Sequence, residues 1–153
     1  MAKYVYPAVF SWNEEDKTYY VSFPDAANWF TDGRTVEEAM ENAADVLNLM
    51  LLHLEEGHRE KEIPKSSNIN AIQKKNPHDI VTLVAADTAA YAEQLTIQEN
   101  PIRHAREKAG LNIKQLANLL GAPYRTVQDW NSGKQFPPKW VERLVIDKIH
   151  AAI

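Results

Sequence analysis

The sequence predicts an α+β chain in two modules, a ββ–β–α–β module followed by an all-α module. Three observations carry that prediction. Residues 3–31 alternate in polarity and are rich in aromatic and β-branched side chains, as half-buried strands require. Residues 101–149 instead repeat apolar side chains at three- and four-residue spacing, punctuated by Gly and Pro. The charge divides in the same way. Residues 1–64 carry five Lys+Arg against thirteen Asp+Glu, a net −8, whereas residues 100–153 carry nine against four, a net +5. An acidic front and a basic back predict modules with different partners, the basic one suited to phosphates. We place the boundaries at 1–87 and 100–153, with a connecting helix over 88–99.

In order, "KYVYPAVFSW" sets Tyr4, Tyr6, Ala8, Phe10 and Trp12 on one strand face and Val5, Pro7, Val9 and Ser11 on the other. Pro7 cannot donate to a ladder, so it marks an edge, a bulge or a non-bonded position. "TYYVSF" is a second strand, paired with the first as a hairpin across "NEEDK". Pro24-Asp25 ends it, and "NWFT" is a short third strand stopped at Asp32-Gly33. Thr35-Val36-Glu37-Glu38 is a capping-box pattern opening a helix of about twenty residues. Its apolar stripe is Val36, Ala39, Met40, Ala43, Leu47, Met50, Leu51 and Leu54, and Gly57 is the expected left-handed stop. A polar loop with Pro64 and Pro77 leads to a fourth strand, "DIVTLVAAD", and then to the connecting helix capped by Asp87 or Thr88.

Asn100-Pro101 caps the next helix, which stops at Gly110. Asn112 caps "IKQLANLL", and Gly121 breaks it. Pro123 starts a helix running through Trp130 or Asn131. Pro137-Pro138 starts the last, with Trp140, Val141, Leu144, Val145 and Ile149 expected inward.

Two short helices joined by a tight Gly turn form a helix-turn-helix candidate. On the second of them Val127 and Trp130 face in and Tyr124 lies on the border. Arg125, Gln128, Asp129 and Ser132 share the outer face, and Thr126 stands beside them. Arg suits guanine, Gln suits adenine, and Asp can accept from cytosine. Lys114, Gln115, Lys134 and Lys139 flank that face as candidate phosphate contacts. The alternative is a small helical bundle with a solvated polar face.

"GLNIKQLANLLGAPYRTVQDWNSGKQFPP" resembles the Xre/Cro-type helix-turn-helix family at Leu116, Ala117, Leu120, Gly121, Thr126, Val127, Trp130, Gly133 and Pro137. The resemblance implies that Tyr124, Arg125, Gln128 and Asp129 stand where that family touches bases. Ile113 departs from the polar residue, usually Gln, that opens the first of the two helices and meets a phosphate.

The front module is similar to the HicB antitoxin domain. The pattern is Tyr6-Pro7-Ala8, Tyr20-x-x-Phe23-Pro24-Asp25, Thr31-x-Gly33, Glu38-Ala39 with Ala43 and Leu47, then Ile63-Pro64 and Ser66. "AANWF" departs from it where a Gly-Cys pair is common. The resemblance implies a partial RNase H-like fold. It also implies a partner, a small basic HicA-type ribonuclease toxin that cuts mRNA, and a C-terminal domain that binds operator DNA and represses the antitoxin's own operon. Phe23, Pro24, Asp25, Trp29 and Phe30 are the candidate toxin-binding residues, with Trp29 and Phe30 as exposed anchors unless they are core. The excess acid would steer a basic partner.

Other chemistry is poorly supported by the sequence. No cysteine means no disulfide, thiolate catalysis or thiolate zinc site. Asp16, Asp25, Asp32 and Asp45 could supply nuclease carboxylates, but Asp16 and Asp32 sit in turn sequences and Asp25 follows a strand-end proline. His53 and His58 are poorly spaced for a shared metal, and His104 is a phosphate contact or a bystander. No catalytic residue, metal or cofactor is expected. No leader and no membrane-length apolar run is evident, so a cytoplasmic location without membrane contact is expected. Operator reading needs two copies, so a homodimer or larger homo-oligomer is expected. Two other readings stay open: a stand-alone regulator with a sensing or dimerising front module, and a metal-dependent nuclease with a DNA-targeting domain.

Overall fold

The sequence patterns become a mixed α+β architecture in a computed structural model that describes residues 1–153. The chain divides into two compact units, Met1–Ala92 and Glu93–Ile153.

The first unit is a four-stranded antiparallel sheet backed by one long helix. Strands β1 (Lys3–Asn13), β2 (Thr18–Phe23), β3 (Ala26–Gly33) and β4 (Ile80–Asp87) lie in the order β3-β2-β1-β4. Helix α1 (Val36–Glu56) joins β3 to β4. The period-two pattern sends Tyr6, Ala8, Phe10, Val21, Phe23, Val84 and Ala86 to one face, where they bury against Ala39, Ala43, Leu47 and Leu51 of α1. β1 is central, yet Pro7 is tolerated in it. Its pairing with β2 starts only at Val9, so Pro7 lies past the end of β2 and faces Leu83 of β4 alone. β3 extends beyond the four residues of the expected strand because the Pro24-Asp25 turn returns the chain directly onto β2.

Two terminal details differ from expectation. Thr35 caps α1 by accepting from the Glu38 amide at 3.1 Å, but the Glu38 carboxylate takes the Arg34 amide at 3.0 Å rather than that of the cap residue. Gly57 is not left-handed: its φ is −80°, and its amide still bonds to His53 O. The turn reverses one residue later, at His58 with φ 55°. The expected α1 stripe also loses Met40, which is exposed.

Short 3-10 turns at Glu60–Glu62 and Ile69–Ala71 interrupt the segment from α1 to β4. Part of that segment is laced to the sheet. Ser66 donates to Val5 O at 2.7 Å, and the Tyr6 hydroxyl donates to Pro64 O. Helix α2 (Thr88–Glu99) follows, with Asp87 accepting from the Ala90 amide.

The second unit holds α3 (Pro101–Lys108), α4 (Ile113–Leu120), α5 (Tyr124–Ser132) and α6 (Lys139–Ala151). Their core is Ile102, Ala105, Leu116, Ala117, Val127, Val145 and Ile149. Trp140 and Leu144 point outward, against expectation. α6 packs with the stripe Val141, Val145 and Ile149, and Trp140 and Leu144 lie to one side of it. No helix is long and apolar enough to cross a membrane.

Candidate functional site

In the second unit the site is the α4–α5 pair. Asn112 and Gln115 form a full capping box at the start of α4: Asn112 accepts the Gln115 amide at 2.7 Å, and Gln115 Oε1 accepts the Asn112 amide at 2.8 Å. Gln115 therefore has its carbonyl committed to the cap. Gly121 ends α4 at φ 67°, a conformation that side chains with a Cβ rarely adopt, and two residues later Pro123 enters α5. The helices meet through Leu116, Ala117 and Val127, all buried. Ile113 is half-buried against this core, so its departure from the polar pattern serves packing.

α5 presents a polar face. Tyr124, Arg125, Gln128 and Ser132 are exposed, and Thr126 is half-buried. Asp129 is mostly covered, with its Oδ1 3.4 Å from Arg125 Nε. Lys114, Lys134 and Lys139 are all exposed, and Lys139 Nζ sits 3.5 Å from Glu142. His104 Nε2 lies 3.2 Å from Glu93, which also takes Lys108 at 3.0 Å. Lys108 and then His104 hold the Glu93 carboxyl below its ordinary range.

Asn100, read from the sequence only as a cap, and Arg106, given no role there, fix α5 in place. Asn100 caps α3 with its oxygen and donates its amide to Trp130 O at 2.9 Å and Asn131 O at 3.2 Å. Arg106 donates to Leu111 O at 2.6 Å and Asn131 Oδ1 at 2.9 Å. Asn100 thus satisfies free carbonyls at the end of α5, which a helix terminus needs, while Arg106 ties the Asn131 side chain to the turn before α4. The local cap pattern revealed one role of Asn100. Nothing in the local sequence marked the longer-range partner.

In the first unit the five candidate residues separate. Phe23 and Trp29 are buried in the core, so Trp29 is not an exposed anchor. Trp29 meets the Tyr6 ring edge-on at 6.4 Å. Asp25 accepts from the Ser67 amide at 2.8 Å and from its hydroxyl, which ties the β2–β3 turn to the segment after α1. Pro24 and Phe30 are exposed.

Phe30 pairs with Ser22, which pairs with Val9, which pairs with Val81, so this row lies on the face turned away from α1. Val5, Tyr20 and Leu83 are also exposed on that face. A groove of about 580 Å³ opens there between the sheet and the 71–79 segment, lined by Val9, Ser11, Ser22, Pro24, Ile72 and Asp79. Asp79 is buried and accepts from Ser11 Oγ at 2.7 Å and the Asn76 amide at 3.2 Å.

The four aspartates weighed as metal ligands do not converge. Asp16 takes the Tyr20 hydroxyl, Asp25 takes Ser67, and Asp45 takes the Tyr91 hydroxyl. No three His, Cys, Asp or Glu side chains gather as a metal site.

No curated protein matches the chain. A solved chain described as a toxin–antitoxin complex from Streptococcus pneumoniae shares the fold, with a TM-score of 0.51 and 21% identity over 87% of this chain and 99% of that one. Residues 6–100 match the family described as the HicB-like antitoxin of bacterial toxin–antitoxin systems. That match takes in nearly the whole sheet-and-helix unit and more than half the sequence. The chain belongs to the HicB-like antitoxin family, regulatory proteins rather than enzymes.

Proposed function

We propose that the protein neutralises a small HicA-type ribonuclease toxin with its first unit, a partial RNase H-like fold, and represses its own operon with its second, a helix-turn-helix domain. The observation that carries this reading is the family match over residues 6–100. The excess acid of residues 1–64 suits a basic, RNA-binding partner and would speed encounter with it. The outer sheet face offers Phe30 and Pro24 to such a partner, while Phe23, Trp29 and Asp25 hold that surface in shape.

For the second unit, support comes from the tight Gly121 turn, the buried Val127 and the outward Arg125 and Gln128 in a net-positive segment. Tyr124, Arg125, Thr126 and Gln128 would meet base edges, and Lys114, Lys134 and the amide of Gln115 would meet phosphates.

The test is co-expression with any short basic open reading frame beside the gene. The two products should co-purify as a stable complex in which RNA cleavage is silent, and the complex should retard DNA from upstream of the operon. Free ribonuclease activity in the purified mixture rejects the antitoxin role for that partner. Failure to retard the upstream DNA rejects autorepression.

A further inference from the structure

The groove on the outer sheet face has a charged floor. Asp79 lines it and is only 5% exposed, yet its two oxygens meet neutral donors alone: the Ser11 hydroxyl at 2.7 Å and the Asn76 amide at 3.2 Å. Ser11 belongs to β1 and Asn76 to the 71–79 segment, so the carboxylate is held from both walls. No Lys, Arg or His of the chain forms an ion pair with it. An ionised carboxylate accepts about four hydrogen bonds, so each oxygen keeps room for another. A covered charge without a counter-charge is costly, and a cation brought to it repays part of that cost.

The walls above Asp79 are partly apolar, with Val9 and Pro24 on the sheet side and Ile72 on the segment side. An apolar channel ending in a carboxylate fits a basic side chain, whose aliphatic stem lies on apolar surface while its head meets the acid. The volume of about 580 Å³ holds such a side chain with ease.

We infer that this groove receives one arginine or lysine side chain of a partner protein, with its cationic head on Asp79 and its stem against Val9, Pro24 and Ile72. Naming that partner as the basic toxin rests on the proposed antitoxin function; the receptor itself does not. Ser22 lines the groove and pairs with Phe30 across β2 and β3, so a partner seated there also reaches Phe30. Lys75 is the one cation among the lining residues, and it is exposed. An exposed ammonium gains little from an ion pair, whereas a covered carboxylate gains much, so the floor and not the rim selects the sign of the occupant.

Titration of the isotope-labelled full chain with N-acetyl-arginine methylamide, and with its lysine, norleucine and glutamate counterparts, tests the receptor by NMR. The arginine or lysine probe should shift the amides of Ser11, Ser22, Asn76 and Asp79, and the norleucine and glutamate probes should not. Asp79→Asn should weaken binding of the cationic probe about tenfold or more. Lys75→Glu should strengthen it several-fold, and because Lys75 is exposed this variant decides if Asp79→Asn disturbs folding. An equal response to norleucine or glutamate, no shift with either cation, or a Lys75→Glu chain that binds no tighter overturns the proposal. In a second arm, the co-purified toxin should follow the same order of affinities. A toxin bound equally by wild type, Asp79→Asn and Lys75→Glu overturns the toxin as occupant and leaves the antitoxin function standing. Cationic-probe binding by a chain that silences no toxin keeps the receptor and removes the antitoxin reading.

Discussion

Arg125 Nε and Asp129 Oδ1 lie 3.4 Å apart, one turn apart on α5, with Arg125 72% exposed and Asp129 only 19%. A carboxylate so covered, with a guanidinium already beside it, is poorly placed to accept from a base. It is well placed to hold Arg125 in one orientation. Under the proposed DNA reading Asp129 is a positioning residue, and its effect passes through Arg125. Arg125→Ala and Asp129→Ala should therefore relax specificity at the same base pair, by about 1–3 kcal/mol for Arg125. The double variant should cost little more than Arg125→Ala alone. Gln128→Ala should relax a different base pair. Binding to a set of single-base variants of the upstream site measures this. Additive losses at two base pairs would make Asp129 a direct reader, and unchanged binding in all the variants would mean that α5 is the wrong helix.

Trp29 and Phe30 are neighbours in sequence with opposite fates in the fold. Trp29 is buried beside Tyr6, while Phe30 is 69% exposed on the outer sheet face. Trp29→Ala should cost about 3–5 kcal/mol of stability, the usual result of emptying a large core site. Phe30→Ser should change stability by about 0.5 kcal/mol or less. If the outer face meets the toxin, Phe30→Ser should nonetheless weaken the complex about tenfold. Denaturant unfolding and titration calorimetry with the purified toxin separate the two effects. Full toxin affinity in Phe30→Ser would move the contact away from this face.

These results show what one-dimensional patterns can reveal. Strand and helix periods resolved the elements, because Tyr6, Ala8 and Phe10, or Leu116 and Ala117, bury at the spacing their backbone dictates. Asn100, Thr35 and Asn112 were readable as caps because their partners lie three residues away. Contacts across long sequence separations were not readable. Asp25 with Ser67, Asn100 with Asn131 and Arg106 with Asn131 depend on how elements pack. Apolar character alone also misassigned Trp140 and Leu144. A helix in a small bundle buries one stripe, and the sequence around α6 contains two that compete.

Gly33 reads in the sequence as a strand stop, but its role in the fold is close approach. A Cβ there would collide with the Ala39 amide nitrogen and sit 2.6 Å from Ala39 Cα and 2.9 Å from Glu38 C. The obstacle is helix backbone, which cannot rotate away as a side chain could. β3 and the first turn of α1 would have to separate. Gly33→Ala should destabilise the first unit by about 1–3 kcal/mol or more. Gly110→Ala has open space, although its φ of 72° adds local strain, so it should leave the first unit unaffected. Amide hydrogen exchange resolves the two units. Protection in β3 and early α1 that is unchanged in Gly33→Ala would refute the close-packing role.

The alkaline limit of stability should carry the signature of Tyr6. Burial, then the neighbouring Tyr4 and Asp25, raise its hydroxyl above the ordinary tyrosine value, and that hydroxyl donates to Pro64 O. Burial, then Glu55, raise Tyr4 in the same direction. The sign follows from linkage. The neutral phenol is favoured in the fold, so its contribution is fully present below the unfolded value of about 10 and is lost as pH rises through the higher folded value. Urea midpoints should therefore be flat with respect to these groups up to about pH 9 and fall above about pH 10. Tyr6→Phe should start lower, because the bond to Pro64 is gone, and should show a shallower alkaline decline, because one titrating group is gone. Lysines also titrate in this range, so the difference between the wild-type and Tyr6→Phe slopes is the diagnostic quantity. Parallel alkaline limbs in the two proteins would show that the Tyr6 proton is not linked to folding.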